Sequence, residues 1–460
     1  MLPKNGYFLL NNMIFRNIEN NIKKWLSSTT KSALLITGAR QVGKTFTIRK
    51  VLKEEADSFV EINFLENAEA KELFEKTTNA QDLLRSLSLL ANKRLLKGKT
   101  VIFLDEVQCC KEIVTAIKFL VDEGSYRYVM SGSLLGVELK DIRSFPVGYL
   151  SIMTMHPLDF EEFLMANNCS EEVFLHLKQS FDKQTPVDEF VHRQIMKFFN
   201  LYLVVGGMPA VVDTYIKTNN IAEVIEIQKA IIELYKKDIA QYDHGNKLYL
   251  EEILSLIPSE LSSKNKRFIL KKLNENQKFS RYENSFIWLK DAGVALPTFN
   301  ASEPVVPLLL SKSRSLFKLF LNDVGLLCAM YANGLQVKIL TGECTINYGA
   351  IYENFVAQEL TARQFNLFYY NNKKNGEVDF LIEKNGSVIP IEVKSGKDYI
   401  RHASLTYLLS NDSFGIPEGI VLQNDNISIK GKTTYLPIYM TMFIKEEELP
   451  EKFIYKLESI

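Results

Sequence analysis

Five short apolar runs lie between residues 31 and 165: SALLITG, FVEINF, TVIFLDEV, RYVMSGS and YLSIMTM. Stretches with helix-like spacing separate them. This alternation constrains the chain more than any other feature. Near-continuous apolar strands joined through helices require a mostly parallel sheet covered on both faces.

The first run opens into Gly38-Ala39-Arg40-Gln41-Val42-Gly43-Lys44-Thr45, a complete G-x-x-x-x-G-K-[ST] match with a strand before it and a helix after it. The two glycines let the backbone wrap a phosphate, and the N–H groups at the helix start bind its charge. Lys44 is expected to reach the β- and γ-phosphates, and Thr45 to hold Mg²⁺. The third run ends in Asp105 and Glu106. An apolar strand that ends in two carboxylates is costly unless a cation sits there. Asp105 fits the Walker B aspartate that serves Mg²⁺, and Glu106 is placed to orient or deprotonate an attacking water. The fourth run ends in Ser131 and Ser133, which are expected to touch the γ-phosphate or that water.

A chain of 460 residues is too long for one core and implies two to four domains. Lys+Arg and Asp+Glu are 55 each, which argues against coating nucleic acid by bulk charge but leaves room for a local basic patch. The five cysteines fit neither a zinc module nor a disulfide framework, so a reducing, cytoplasmic setting is expected. No apolar run has the length of a membrane span, and the asparagine-interrupted N-terminus does not read as a signal peptide. Met13 is a candidate start.

The expected organisation is a P-loop ATPase domain over 14–165, a helical lid over 166–245 and a winged-helix-like unit over 246–300. A connector over 301–345 and a C-terminal α/β domain over 346–460 follow. The lysine-rich 264–272 segment could contact phosphates of DNA, which would make binding salt-dependent. His156 and His244 are lone histidines and read as structural.

In the C-terminal part, EVDFLIEK and SVIPIEVK flank Asn385-Gly386. Asn-Gly between alternating strands predicts a type I′ hairpin. Counting out from Lys384 opposite Ser387 puts Asp379 across from Glu392, with Lys394 on the face of Glu392. Like charges directly opposed destabilise a sheet, so the pair calls for a cation. A divalent metal on hard oxygen ligands answers that need, with Lys394 placed to position a water or stabilise a phosphate.

Together, TGARQVGKT, FLDEVQ, SGS, HPLDFEEFL and GGMP resemble a family of prokaryotic AAA+-type P-loop ATPases, similar to archaeal and STAND-type (signal-transduction) ATPases. In that family the ATPase is fused to a C-terminal domain of poorly defined function. The resemblance covers about residues 14–400. It departs at Gly148-Tyr149, where the family carries Gly-Arg, so a charge-stabilising arginine is missing or has moved to Arg143. The spacing D-x(12)-E-x-K resembles the PD-(D/E)xK nuclease signature, although Val378 stands where that signature has proline. That resemblance implies a restriction-endonuclease-like fold, a second divalent metal on Asp379 and Glu392, and a helix glutamate, for which Glu353 is the candidate. The implied function is ATP hydrolysis coupled to a nuclease-like domain acting on DNA. The alternative is a nucleotide-driven STAND-like switch, possible as a homo-oligomer, whose C-terminal domain binds DNA or protein without cleavage.

Overall fold

The computed structural model describes residues 14–76, 79–91, 93–133, 146, 148–242, 247–263, 266–268, 283–343, 348–396, 400–447 and 454–455. Arg143, His244 and most of the 264–272 segment lie outside them.

The five apolar runs form β1 (Ala33–Thr37), β2 (Ser58–Asn63), β3 (Thr100–Asp105), β4 (Arg127–Ser131) and β5 (Leu150–Thr154). They make one parallel sheet in the order β2-β3-β4-β1-β5. Alternate side chains of β1 enter different cores, as the strand period of two requires. Leu34 and Ile36 pack with α1 (Ile18–Ser27) and α2 (Lys44–Glu55) through Ile22, Trp25, Ile48 and Val51. Ala33 and Leu35 pack with α3 (Ala68–Lys76), α4 (Ala80–Leu90) and α5 (Glu112–Glu123) through Phe74, Leu83, Leu87 and Ile117. Burying each Leu or Ile in this way contributes about 1.5–3 kcal/mol.

A helical region follows: α6 (Phe160–Ala166), α7 (Glu171–Lys183), α8 (Glu189–Val205), α9 (Pro209–Thr218), α10 (Ile221–Tyr242), α11 (Lys247–Ser262) and α12 (Glu283–Asp291). The Gly206-Gly207 pair between α8 and α9 permits a close approach. A Cβ at Gly207 would overlap the Leu158 carbonyl, and one at Gly206 the Asp323 carboxylate.

The second sheet is mixed. Its strands are β6 (Ala295–Ala301), β7 (Lys312–Leu321), β8 (Phe368–Asn372), β9 (Gly376–Lys384), β10 (Ser387–Val393), β11 (Gly419–Gln423), β12 (Ser428–Lys430) and β13 (Thr433–Pro437). The order is β12-β13-β11-β10-β9-β8-β6-β7. The helices along this part are α13 (Val324–Met330), α14 (Leu335–Thr341), α15 (Gly349–Ala362) and α16 (Ala403–Ser410). Residues 301–345, read above as a connector, carry β7, α13 and α14 instead. β6 and β7 form an antiparallel pair that extends the second sheet through β8. The β6–β7 pair joins the sheet only through β8, where Phe299 meets Phe368, far along the chain, which leaves no local signal, and so the segment reads as a linker.

The predicted hairpin is present. Ser387 pairs with Lys384, and Asn385 and Gly386 have φ of 49° and 76°, both left-handed as a type I′ turn needs.

α15 is buried on all sides from Ala350 to Leu360. Its polar residues are therefore each bonded to other elements. Asn354 accepts from Leu321 N (2.8 Å) and donates to Leu321 O (3.1 Å). Gln358 accepts from Val324 N (2.9 Å) and donates to the Tyr202 hydroxyl (2.6 Å). Glu359 accepts from Phe160 N (2.8 Å). Buried polar groups must be satisfied internally, so these bonds fix the helix in one register between the helical region and the second sheet.

Candidate functional site

The phosphate loop joins β1 to α2, and its glycines are there for space. Gly38 has φ 140°, and a Cβ on it would overlap the Met155 carbonyl at the end of β5; Gly43 has φ 92°. Lys44 is buried and donates to the carbonyls of Gly38 (3.0 Å) and Ala39 (2.8 Å). It is thus folded onto its own loop and would swing outward to meet a phosphate.

Asp105 is the hub at the strand ends. It accepts from the Thr45 hydroxyl at 3.1 and 3.0 Å, from Asn63 Nδ2 at 3.3 Å and from the Ser131 hydroxyl. Burial raises its carboxyl despite the Ser131 bond. This set of hard oxygens at the mouth of the loop fits Mg²⁺. Glu106 is held in the left-handed region at φ 56°, a conformation that costs a non-glycine residue about 1 kcal/mol or more and clusters at functional sites. Its carboxylate accepts from Gln108 Nε2, which also reaches the Ser133 hydroxyl at 3.4 Å. Ser131 therefore orients Asp105, and Ser133 is tied to Glu106 through Gln108. Asn63 and Gln108 were given no role in the sequence reading. The polar residue that ends β2, level with Asp105 in the ladder, was the available signal for Asn63.

Burial lowers the Lys44 pKa to about 8, against the pull of Glu106 and Asp105. ATP binds best to the protonated amine. Above about pH 8 the free protein must take up a proton on binding, so affinity is expected to fall, by up to about tenfold per pH unit. Fluorescent-nucleotide titrations from pH 7 to 10 test this. The slope above pH 8 should vanish in Lys44→Ala; a wild-type affinity flat to pH 10 refutes it.

Three contacts tie the loop to distant parts of the chain. Arg40 pairs with Asp238 of α10, and the Tyr235 hydroxyl donates to the Arg40 carbonyl at 3.2 Å. Gly293, in the turn before β6, packs so close to the Ala39 backbone that a Cβ would touch it at 3.0 Å. Arg16 donates to the carbonyls of Val42 (2.9 Å) and His156 (2.6 Å) and pairs with Glu162 at 3.0 Å. His156 stays neutral; burial and then Arg16 push its pKa down to about 4. Glu162 and Asp159 form the capping box of α6. Asp159 in turn pairs with Arg363, just beyond α15, at 3.1 Å. The HPLDFEEFL motif is therefore a junction between the phosphate loop and α15.

The C-terminal carboxylates also converge, with lysines between them. Lys318 on β7 is fully buried, and its Nζ lies 2.7 Å from Glu377, 3.2 Å from Glu353 and 3.7 Å from Asp379. Glu353 also pairs with Lys266. Asp379 accepts from the Val393 amide at 2.8 Å. The ladder between β9 and β10 ends one pair before Asp379 and Glu392, at Phe380 and Ile391. Glu392 pairs with Lys394 at 2.7 Å through one oxygen, and its other oxygen has no hydrogen-bond partner among the described residues. Burial would raise Asp379, but Lys318 and Lys266 hold it below the usual carboxylate range. Burial and the Asp379 charge push Glu392 up to about 8. Lys318 is pulled down by burial but held above its ordinary value by Glu353, Asp379 and Glu377. Among the described residues no group of three or more His, Cys, Asp or Glu is arranged to hold a metal ion. Lys318 and Glu377 were missed by the sequence reading. The signal was a single lysine inside the apolar run SLFKLFL.

Family models match three parts of the chain. One described as an AAA domain matches residues 30–164. Two described as domains of unknown function, DUF8612 and DUF4143, match residues 196–337 and 348–441. The N-terminal region is an AAA-type P-loop ATPase domain. No curated protein matches the chain. Among solved structures, the Walker-type ATPase paby2304 of Pyrococcus abyssi is 12% identical with a TM-score of 0.42, covering 69% of this chain and 96% of that one. The Aeropyrum pernix ORC1 protein in complex with DNA is 14% identical with a TM-score of 0.25, covering 72% and 93%. C. elegans PCH-2 is 13% identical with a TM-score of 0.23, covering 41% and 60%. No helix among the described residues is long and apolar enough to cross a membrane.

Proposed function

We propose that the chain hydrolyses ATP and works as a nucleotide-driven switch, in which the state of the phosphate loop sets the position of the C-terminal mixed sheet. The observation that carries this reading is the double tether of the loop. Arg16 joins Val42 to Glu162, and the neighbouring Asp159 joins Arg363 beside α15. Gly293 seats the root of the β6–β7 hairpin on Ala39. A phosphate entering the loop draws Lys44 off the Gly38 and Ala39 carbonyls, and Ala39 is the residue on which Gly293 sits. Order in switch segments commonly follows such contacts.

In this reading residues 14–165 are the motor, 166–245 the lid, 246–345 the bridge and 346–460 the responding unit. Gly38 to Thr45 cradle the phosphates, and Glu106, held by Gln108 and Ser133, orients the attacking water. Thr45 and Asp105 would hold the Mg²⁺ that accompanies ATP and neutralises charge on its β- and γ-oxygens. With Tyr149 in place of the family's arginine, turnover is slow and serves as a timer.

A second reading is ATP-coupled DNA cleavage by the C-terminal unit. It is favoured by one observation: Glu353, Asp379, Glu392 and Lys394 belong to one charged cluster. ATP turnover and cleavage of labelled linear, forked and four-way-junction DNA separate the two. The assay is run with Mg²⁺ or Mn²⁺, on wild type and Glu392→Ala. The switch reading expects turnover unchanged by DNA and no cleavage. DNA-stimulated turnover with cleavage lost in Glu392→Ala would replace it with the second.

A further inference from the structure

A carboxylate cluster in a nuclease-like setting calls for a divalent cation, and the residues present do not fit one. Every carboxylate of the cluster already has a lysine within reach. The Lys318 ammonium, 0% exposed, lies among Glu353, Glu377 and Asp379, and Lys266 takes the second oxygen of Glu353. Asp379 spends its second oxygen on the Val393 amide. One acceptor remains. Glu392 is 8% exposed, and its Oε2 is buried without a hydrogen-bond partner among the described residues. A single free carboxylate oxygen falls well short of the roughly six oxygen ligands that a hard divalent cation takes.

We infer that Lys318 is a built-in counter-ion that stands in the place of a divalent metal, so the cluster is closed to metal ions in this chain and becomes a cation site when that ammonium is removed. Geometry and charge both carry this. An ammonium is a compact point charge with three donors, and here it contacts three carboxylates from two elements, Glu353 on α15 and Glu377 and Asp379 on β9. A metal bound by the same oxygens would need the volume that Nζ fills. Lys318 sits on β7, which belongs to neither the β9–β10 hairpin nor α15, so replacing its side chain alters no residue of the carboxylate-bearing elements. The inference concerns the nucleotide-free chain and does not depend on the switch reading.

Mn²⁺ binding to the full-length, nucleotide-free protein, followed by electron paramagnetic resonance, tests it. Wild type and Asp379→Asn should bind Mn²⁺ identically, because neither has an open C-terminal site. Lys318→Met, close in length but uncharged, should gain one site at least tenfold tighter than any in wild type. The double variant Lys318→Met/Asp379→Asn should lose it. A wild-type site that Asp379→Asn abolishes would overturn the inference, as would a folded Lys318→Met protein that gains none. If Lys318→Met does not fold, Lys318→Gln supplies the same comparison with a polar side chain, and the wild-type against Asp379→Asn test stands on its own.

Discussion

Lys44→Ala is expected to lower ATP turnover by about 10²–10³-fold. A positioned cation at developing phosphate charge is worth that much when water is excluded, and Lys44 is the one lysine of the phosphate loop. The loop itself should survive. When the Lys44 bonds to the Gly38 and Ala39 carbonyls are lost, its shape is still held by Gly38 against Met155, by Arg16 on Val42 and by Arg40 on Asp238. The variant should therefore fold with wild-type stability and fail in chemistry. A steady-state phosphate-release assay reads the rate, and a thermal melt checks the fold. Turnover within threefold of wild type would remove the P-loop from the mechanism.

Arg363→Met is expected to cost about 3–5 kcal/mol of stability, the penalty for leaving buried charge without its partner. The guanidinium is nearly inaccessible and lies 3.1 Å from Asp159, 3.6 Å from Glu359 and 3.8 Å from Glu161. Its Nε donates to Met442 O at 2.6 Å. The deficit should depend on pH with a definite sign. Burial holds Glu359 up to about 8 against the pull of Arg363, from an ordinary value of 4.5. A carboxylate whose folded pKa lies above its unfolded one binds its proton more readily in the native state. Stability is then highest at acid pH and is lost as pH rises through the window from about 4.5 to 8. Without Arg363 the folded value rises further, so the variant should be worse at pH 8 than at pH 6. Urea midpoints at the two pH values decide it. An equal loss at both, or a loss under 1 kcal/mol, would mean the cluster is not the junction described here.

The nucleotide site was largely legible from the sequence because its chemistry is local. Eight consecutive residues specify the phosphate loop, and a strand followed by Asp105 and Glu106 specifies its partner. The β9–β10 hairpin was legible for the same reason: two residues with positive φ fix the turn, and the turn fixes the register from Lys384 and Ser387 outward. The supports of the site were not. Asn63 meets Asp105 across 42 positions, Arg40 meets Asp238 across 198, and Arg363 meets Asp159 across 204. Each is an ordinary charged or polar residue in its own neighbourhood, and only the packing of distant elements gives it a partner.

The same division runs through the C-terminal cluster. Composition and spacing determined that Asp379 and Glu392 would lie close and would need positive charge, because alternation on a hairpin places side chains by counting. Which cation meets that need was decided by tertiary structure. β7 lies inside the segment that reads as a connector, pairs with β6, and carries Lys318 in among the carboxylates. A sequence fixes local geometry through bonds and rotamers a few residues long. The charge balance of a buried cluster depends on every element that reaches it, and that is settled only when the chain has folded.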